Sequence, residues 1–95
     1  MAERDITAVG THRDDVPPIG TQISLLAAEA PEAPAVTCDG RTLTRGQLES
    51  ISNRLARVYA DRGVRQGDYV TVALPNSIEW VQAVVAVWKL GAIPQ

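Results

Sequence analysis

Few side chains in this 95-residue sequence are of the types that make or break covalent bonds, and most stand alone. Lys89 is the only lysine, Cys38 the only cysteine and His12 the only histidine. A general base needs a partner within hydrogen-bond reach. His12 has Thr11 and Arg13 beside it in a polar, aperiodic stretch, and reads as a solvated side chain. One cysteine forms neither an internal disulfide nor a cysteine metal cluster, which fits a reducing compartment. Asp39 is a carboxylate, but it precedes Gly40, and Asp-Gly is a hairpin turn signal. Gly63 and Gly67 bracket Val64-Arg65-Gln66, yet neither Lys-Ser nor Lys-Thr follows Gly67, so the pattern of a phosphate-cradling loop is missing. The two glycines read as a helix stop and a turn. Trp80 and Trp88 have the faces to line a cofactor pocket, with core packing as the simpler reading. No residue is therefore assigned a catalytic, cofactor-binding or metal-ligating role.

The elements that would position any site follow from periodicity and punctuation. Residues 1–19 are polar and end at Pro17-Pro18, and read as a flexible N-terminal arm. Thr21 is expected to cap a short helix over 21–30, with Ile23, Leu26, Ala27 and Ala30 at helical spacing and Pro31 and Pro34 beyond its end. Ala35-Val36-Thr37-Cys38 and Arg41-Thr42-Leu43 flank Asp39-Gly40 as a hairpin. Thr44 and Gln47 match a capping box. The helix they open places Leu48, Ile51, Leu55, Val58 and Tyr59 on one stripe. Glu49, Ser50, Asn53, Arg54, Arg57 and Asp61 fall opposite, as a solvated face. Gly63 suits the left-handed position that ends a helix. Residues 69–74 read as a strand stopped by Pro75. Asn76 or Ser77 caps the next helix, over about 77–90. Its polar residues Glu79, Gln82 and Lys89 share one narrow stripe with Ala86. The rest of its circumference is apolar, which predicts burial on more than one side. Gly91 ends it, and Ala92-Ile93-Pro94-Gln95 opens another strand, giving the strand–helix–strand order of a parallel crossover.

Composition excludes several classes of function. Apolar residues are 45% of the chain, charged residues 21%, and the net charge is −2, as in globular domains. No basic stripe with interleaved aromatics exists, so nucleic acid is not an expected partner. The N-terminus lacks the apolar core of a signal peptide. The most apolar run, 78–90, would span about 20 Å as a helix, short of a bilayer's ~30 Å. The expectation is a cytoplasmic protein with no membrane span.

An ordered set of short motifs carries a resemblance. Thr44-x-x-x-Leu48 is followed by Ser52-Asn53-Arg54-Leu55-Ala56, then Gly63-Val64 and Gly67-Asp68-x-Val70. Leu74-Pro75-Asn76-Ser77-x-Glu79 comes next, and Val87-x-Lys89-x-Gly91-Ala92-Ile93 closes the run. With these gaps, residues 21–95 resemble the N-terminal part of the adenylate-forming (AMP-binding) superfamily, most closely its acyl-CoA synthetases and fatty-acid–CoA ligases. Two departures are at the level of packing. Arg45 stands where family members usually carry an aromatic residue, and Pro94 comes early after Gly91-Ala92.

The resemblance implies an α/β fold: the N-terminal portion of a large domain, running short helix, β-hairpin, helix, strand, helix and the start of a parallel strand. Residues 20–95 would be an incomplete part of an AMP-dependent synthetase/ligase domain, with the remainder of the adenylating domain, in the same or a separate chain, as partner. The implied activity joins a carboxylic-acid substrate to coenzyme A through an acyl-adenylate, using ATP and magnesium. The family performs it with a Ser/Thr/Gly-rich phosphate loop ending in lysine, an acidic residue for magnesium and a C-terminal-domain lysine. None of these motifs occurs in the sequence. No cofactor is therefore expected on this segment, and the segment alone is expected to be inactive. The alternatives are a non-catalytic remnant or interaction module that pairs with a separate downstream chain, and an unrelated small α/β module.

Overall fold

The computed structural model describes residues 17–95. Most of the expected arm, including His12, lies outside the described residues.

Helix α1 spans Ile19–Glu29. Pro18 occupies the cap position with φ −56° and ψ 154°, and no side chain caps the helix. The Pro18 carbonyl accepts the Gln22 N–H at 3.0 Å, and the Gln22 side-chain amide donates to the Pro17 carbonyl at 2.8 Å. The helix thus starts two residues before Thr21, which lies exposed in its first turn. The Pro18 carbonyl makes the ordinary first intrahelical bond and no side chain caps the first-turn N–H groups; proline's fixed φ sets where the helix begins.

Strands β1 (Pro34–Cys38) and β2 (Arg41–Thr44) form the expected hairpin. They pair antiparallel, with Cys38 opposite Arg41 and Thr37 opposite Thr42. Asp39 (φ 51°) and Gly40 (φ 78°) both sit in the left-handed region, the requirement of a type I′ turn.

Helix α2 (Arg45–Asp61) opens on the expected capping box. The Gln47 N–H donates to Thr44 Oγ1 at 3.1 Å, and the Thr44 N–H donates to Gln47 Oε1 at 2.9 Å. Its buried face is rotated from the expected one. Leu48, Ser52 and Ala56 are buried, while Val58 is 47% exposed. Ser52 has no exposed surface because its hydroxyl donates back to the Leu48 carbonyl at 2.6 Å, which satisfies the polar atom inside the core.

Strand β3 is short, Tyr69–Val70, and pairs in parallel with β4 (Ile93–Pro94). Two further bonds extend the contact: Gln95 N–H to the Val70 carbonyl at 2.8 Å and Val72 N–H to the Gln95 carbonyl at 3.2 Å. The expected strand over 69–74 is therefore realised only where 93–95 lie beside it. Beyond Val72, no backbone among the described residues pairs with it.

Between β3 and β4 runs α3 (Ile78–Lys89), capped by Ser77, whose hydroxyl accepts the Trp80 N–H at 3.1 Å. Ala83, Val84, Val85, Ala86 and Val87 are all buried. Five successive positions sweep the whole circumference at about 3.6 residues per turn, so α3 is enclosed by α1, α2 and the hairpin. One end of the expected polar stripe is buried too: Ala86 has no exposed surface and the Lys89 side chain is only 8% exposed, while Glu79 at the other end stays exposed. Trp80 and Trp88 are half-buried at the margin of this core. No helix among the described residues is long and apolar enough to cross a membrane.

Helix α1 packs through part of its expected stripe together with Gly20. Gly20 and Ala27 are buried and Ile23 and Ala30 half-buried, whereas Leu26 is 45% exposed. The reason is the closeness of the crossing: a Cβ at Gly20 would lie 2.7 Å from the Lys89 Cα. Gly20→Ala is expected to cost about 1–3 kcal/mol through overpacking. A lowered urea midpoint at unchanged slope is the expected readout; an unchanged midpoint would contradict the close crossing.

Candidate functional site

The densest polar cluster lies where the three helices meet. Lys89, at the last turn of α3, buries its side chain and directs Nζ toward α2 and α1. Nζ forms an ion pair with Glu49 Oε1, donates to Asn53 Oδ1 at 2.6 Å and reaches Ser24 Oγ at 3.4 Å. The acceptors are themselves tied together. The Ser24 hydroxyl donates to Glu49 Oε1 at 2.9 Å, and Asn53 Nδ2 donates to Glu49 Oε2 at 3.1 Å. Glu49 and Asn53 are one helical turn apart on α2 and so share a face. The solvated-face expectation for these two residues is corrected by this geometry.

An ammonium has three N–H donors and no acceptor. Each donor of Lys89 has a partner in this cluster, one of them a carboxylate. Burial pushes the Glu49 carboxyl up, but hydrogen bonds from Lys89, Asn53 and Ser24, with the lysine charge beside it, outweigh burial and hold it below the ordinary carboxylate value. The cluster is a charge-matched network that joins three helices, and its lysine donors are all committed within it. An open hollow of about 240 Å³ borders it, lined by Gly20, Thr21, Ser24, Asn53 and Lys89.

The other candidate side chains do not converge on it. Arg41 in β2 pairs with Glu79 at the start of α3 at 2.8 Å, with both side chains more than half exposed. The hydrogen bond from Arg41 holds the Glu79 carboxyl below its ordinary value, and the same bond raises Arg41. Cys38 is half-buried at the hairpin end, with its sulfur 3.9 Å from Asp39 Oδ2. In the 63–67 loop, Gly63 (φ 100°) and Gly67 (φ 87°) are left-handed, as a helix stop and a turn require. The Arg65 N–H that a phosphate would need is taken by the Asp68 carboxylate at 2.8 Å. Among the described residues no group of three metal-ligating side chains comes together.

Two apolar hollows complete the surface. One, of about 290 Å³, lies between α1, the hairpin and α2, lined by Ile23, Leu26, Pro34, Ala35, Arg45 and Leu48. The other, of about 260 Å³, runs along 70–74 beside Tyr59, Ala83 and Val87. Periodicity did not expose the Ser24–Glu49–Asn53 partnership. The available signal was the lone lysine on an otherwise apolar helix, which demanded a buried carboxylate on a neighbouring element.

Comparison with known proteins adds what the geometry alone does not. The sequence profile of the AMP-binding enzyme family matches residues 25–95. The 3-oxocholest-4-en-26-oate–CoA ligase of Rhodococcus rhodochrous is 46% identical over 63 residues, covering 66% of this chain and 11% of the ligase. Pyochelin synthetase PchE of Pseudomonas aeruginosa is 40% identical over 86 residues, covering 90% of this chain and 5% of the synthetase. The N-terminal domain of FACL13 from Mycobacterium tuberculosis superposes with a TM-score of 0.75 at 28% identity, over 83% of this chain and 20% of that one. The chain thus spans a small fraction of the length of the proteins it matches.

Two outcomes test the cluster. Lys89→Met is expected to cost about 3 kcal/mol, the low end for breaking a buried pair, because 26% of the Glu49 side chain stays exposed to water; urea unfolding measures it. The second is pH dependence. Folded Glu49 holds its proton more weakly than it does in the unfolded chain, so its contribution is complete above the ordinary value of 4.5. That contribution is lost as pH falls through the lower folded value. Glu49→Gln should be less stable near neutrality and lose less stability than the parent when the pH is lowered below 4.5.

Proposed function

Since the chain belongs to the AMP-binding enzyme family, we propose that it is the N-terminal scaffold of an ATP-dependent acid–CoA ligase, and that the chemistry is performed by residues it does not contain. The observation that carries the ligase reading is the 46% identity to a CoA ligase over 63 residues. The likeness to a fatty acyl CoA synthetase of Mycobacterium tuberculosis, with a TM-score of 0.73 at 29% identity, supports the same class.

The chemistry follows from the substrate. A carboxylate is a poor electrophile, and transfer to AMP turns one of its oxygens into part of a good leaving group. A thiol then attacks the acyl-adenylate to give the thioester. Magnesium, when bound, offsets the phosphate charge in the first step. The described residues do not fit a nucleotide: the one lysine is committed within the Glu49 cluster, and the two-glycine loop already carries an intramolecular carboxylate. The contribution of this segment is architectural. It supplies the α3 core and a parallel β3–β4 pair on which further strands can be laid. The reading sets the reaction in the cytoplasm, where ATP and coenzyme A are supplied.

A second reading rests on the identity to pyochelin synthetase. In it the acyl group passes to the thiol of a carrier protein instead of coenzyme A. Both readings give the same expectation for the chain alone. ATP–pyrophosphate exchange, run with fatty and aryl acids, should not rise above the enzyme-free blank. Exchange that depends on added acid would show that the machinery lies within these residues and would overturn the scaffold assignment.

A further inference from the structure

We propose that α1 is a latch: a helix held against the rest of the domain chiefly by one polar clamp, which undocks as a unit while α2 and α3 remain packed. The first support is what α1 buries. Its only buried residues are Gly20 and Ala27, with Ser24 between them on the same face. Small side chains bring little apolar area out of water, and burial energy scales with that area. Most large apolar residues of α1 stay substantially exposed: Ile19, Leu25 and Leu26 are 46%, 57% and 45% exposed, and Ile23 is only half-buried.

The second support is the distribution of the clamp. Ser24 is the only α1 side chain that enters it, through its hydrogen bond to Glu49 and its contact with Lys89. Among the described residues the remaining polar tie is a 3.3 Å contact from Arg45 Nη1 to the Leu26 carbonyl, exposed to water. By contrast, α2 and α3 share the Lys89–Glu49 and Lys89–Asn53 bonds and the buried Leu48, Ala56, Val84, Val85 and Val87. Opening α1 therefore removes one member of the network and leaves the others joined.

Two features define the motion. The segment after α1 is pinned to the start of α2, with the Gly46 N–H on the Pro31 carbonyl at 2.9 Å and the Arg45 N–H on the Ala33 carbonyl at 2.8 Å. The helix ends just before this pin, at Ala30, whose backbone is extended (φ −149°). Ala30 is the hinge. Opening also lets water reach the Lys89 ammonium and Glu49 carboxylate, and their regained hydration offsets part of the cost. A local opening of this kind lies below global unfolding in free energy.

Native-state hydrogen exchange on the whole chain tests the latch. The amides of residues 23–30 should exchange together, through an opening less dependent on denaturant and faster than that of residues 83–87. Ser24→Ala, which leaves the Lys89–Glu49–Asn53 bonds in place, should speed exchange in 23–30 by about tenfold, as expected for losing a hydrogen bond to a charged group, and leave 83–87 unchanged. A single exchange rate for both helices in the parent chain would overturn the proposal, and so would a Ser24→Ala effect that is equal in both or absent from α1. Should the variant fail to fold, the comparison within the parent chain still decides.

Discussion

A lysine ammonium buried at a helix junction must be neutralised and hydrogen-bonded on all three donors, and much of this fold follows from that one demand. An unpaired buried charge costs several kcal/mol, a large share of the stability of a domain this small. Lys89 therefore fixes how α2 is rotated. Glu49 and Asn53 have to face α3, which carries Ser52 and Ala56 into the core and turns Val58 outward. It also fixes how near α1 lies. Ser24 reaches the cluster only because Gly20, one turn earlier, lets the two backbones approach until a methyl group would clash.

The same helix that bears Lys89 at its end organises the remainder. Ala83, Val84, Val85, Ala86 and Val87 meet a neighbour on every side, so α3 is held by packing despite the modest helix propensity of valine. Just past it, Gly91 in the left-handed region turns the chain back. Its N–H bonds to the Trp88 carbonyl, and its carbonyl accepts the Gly67 N–H. That turn sets Ile93 beside Tyr69 in a parallel register. A buried helix between two parallel strands is how an α/β sheet begins.

Much of this was legible in the residues. The Thr44–Gln47 box, the Asp39-Gly40 turn and the Gly63 stop depend on local chemistry that a few neighbouring residues determine, and all three appear as read. The near-continuous apolar circumference of the 78–90 segment foretold that α3 would be enclosed. The errors are tertiary. Hydrophobicity alone puts Glu49 and Asn53 of α2 on the solvated side, whereas both are turned inward to meet Lys89; it also gives no sign that Ser52, whose hydroxyl is satisfied within its own helix, is buried. The extent of β3 depends on a partner strand, and only 93–95 supplies one. On α1 the stripe places Ala27 inward as read, but the close crossing at Gly20 and the exposure of Leu26 leave no trace in the periodicity.

In the proposed scaffold role, this segment shapes the domain, and ATP, acid and thiol are handled by other residues. The most direct measurement is made on these 95 residues together with the remainder of an adenylating domain, supplied in the same or a separate chain. With ATP, magnesium, coenzyme A and a panel of carboxylic acids, mass spectrometry should find an acyl-CoA and AMP in equal amounts. The lysine of a downstream Ser/Thr/Gly-rich loop should be required, while Lys89 should matter only through stability. Continued acyl-CoA formation after loss of the downstream lysine, together with loss of activity in a folded Lys89→Met protein, would contradict the account.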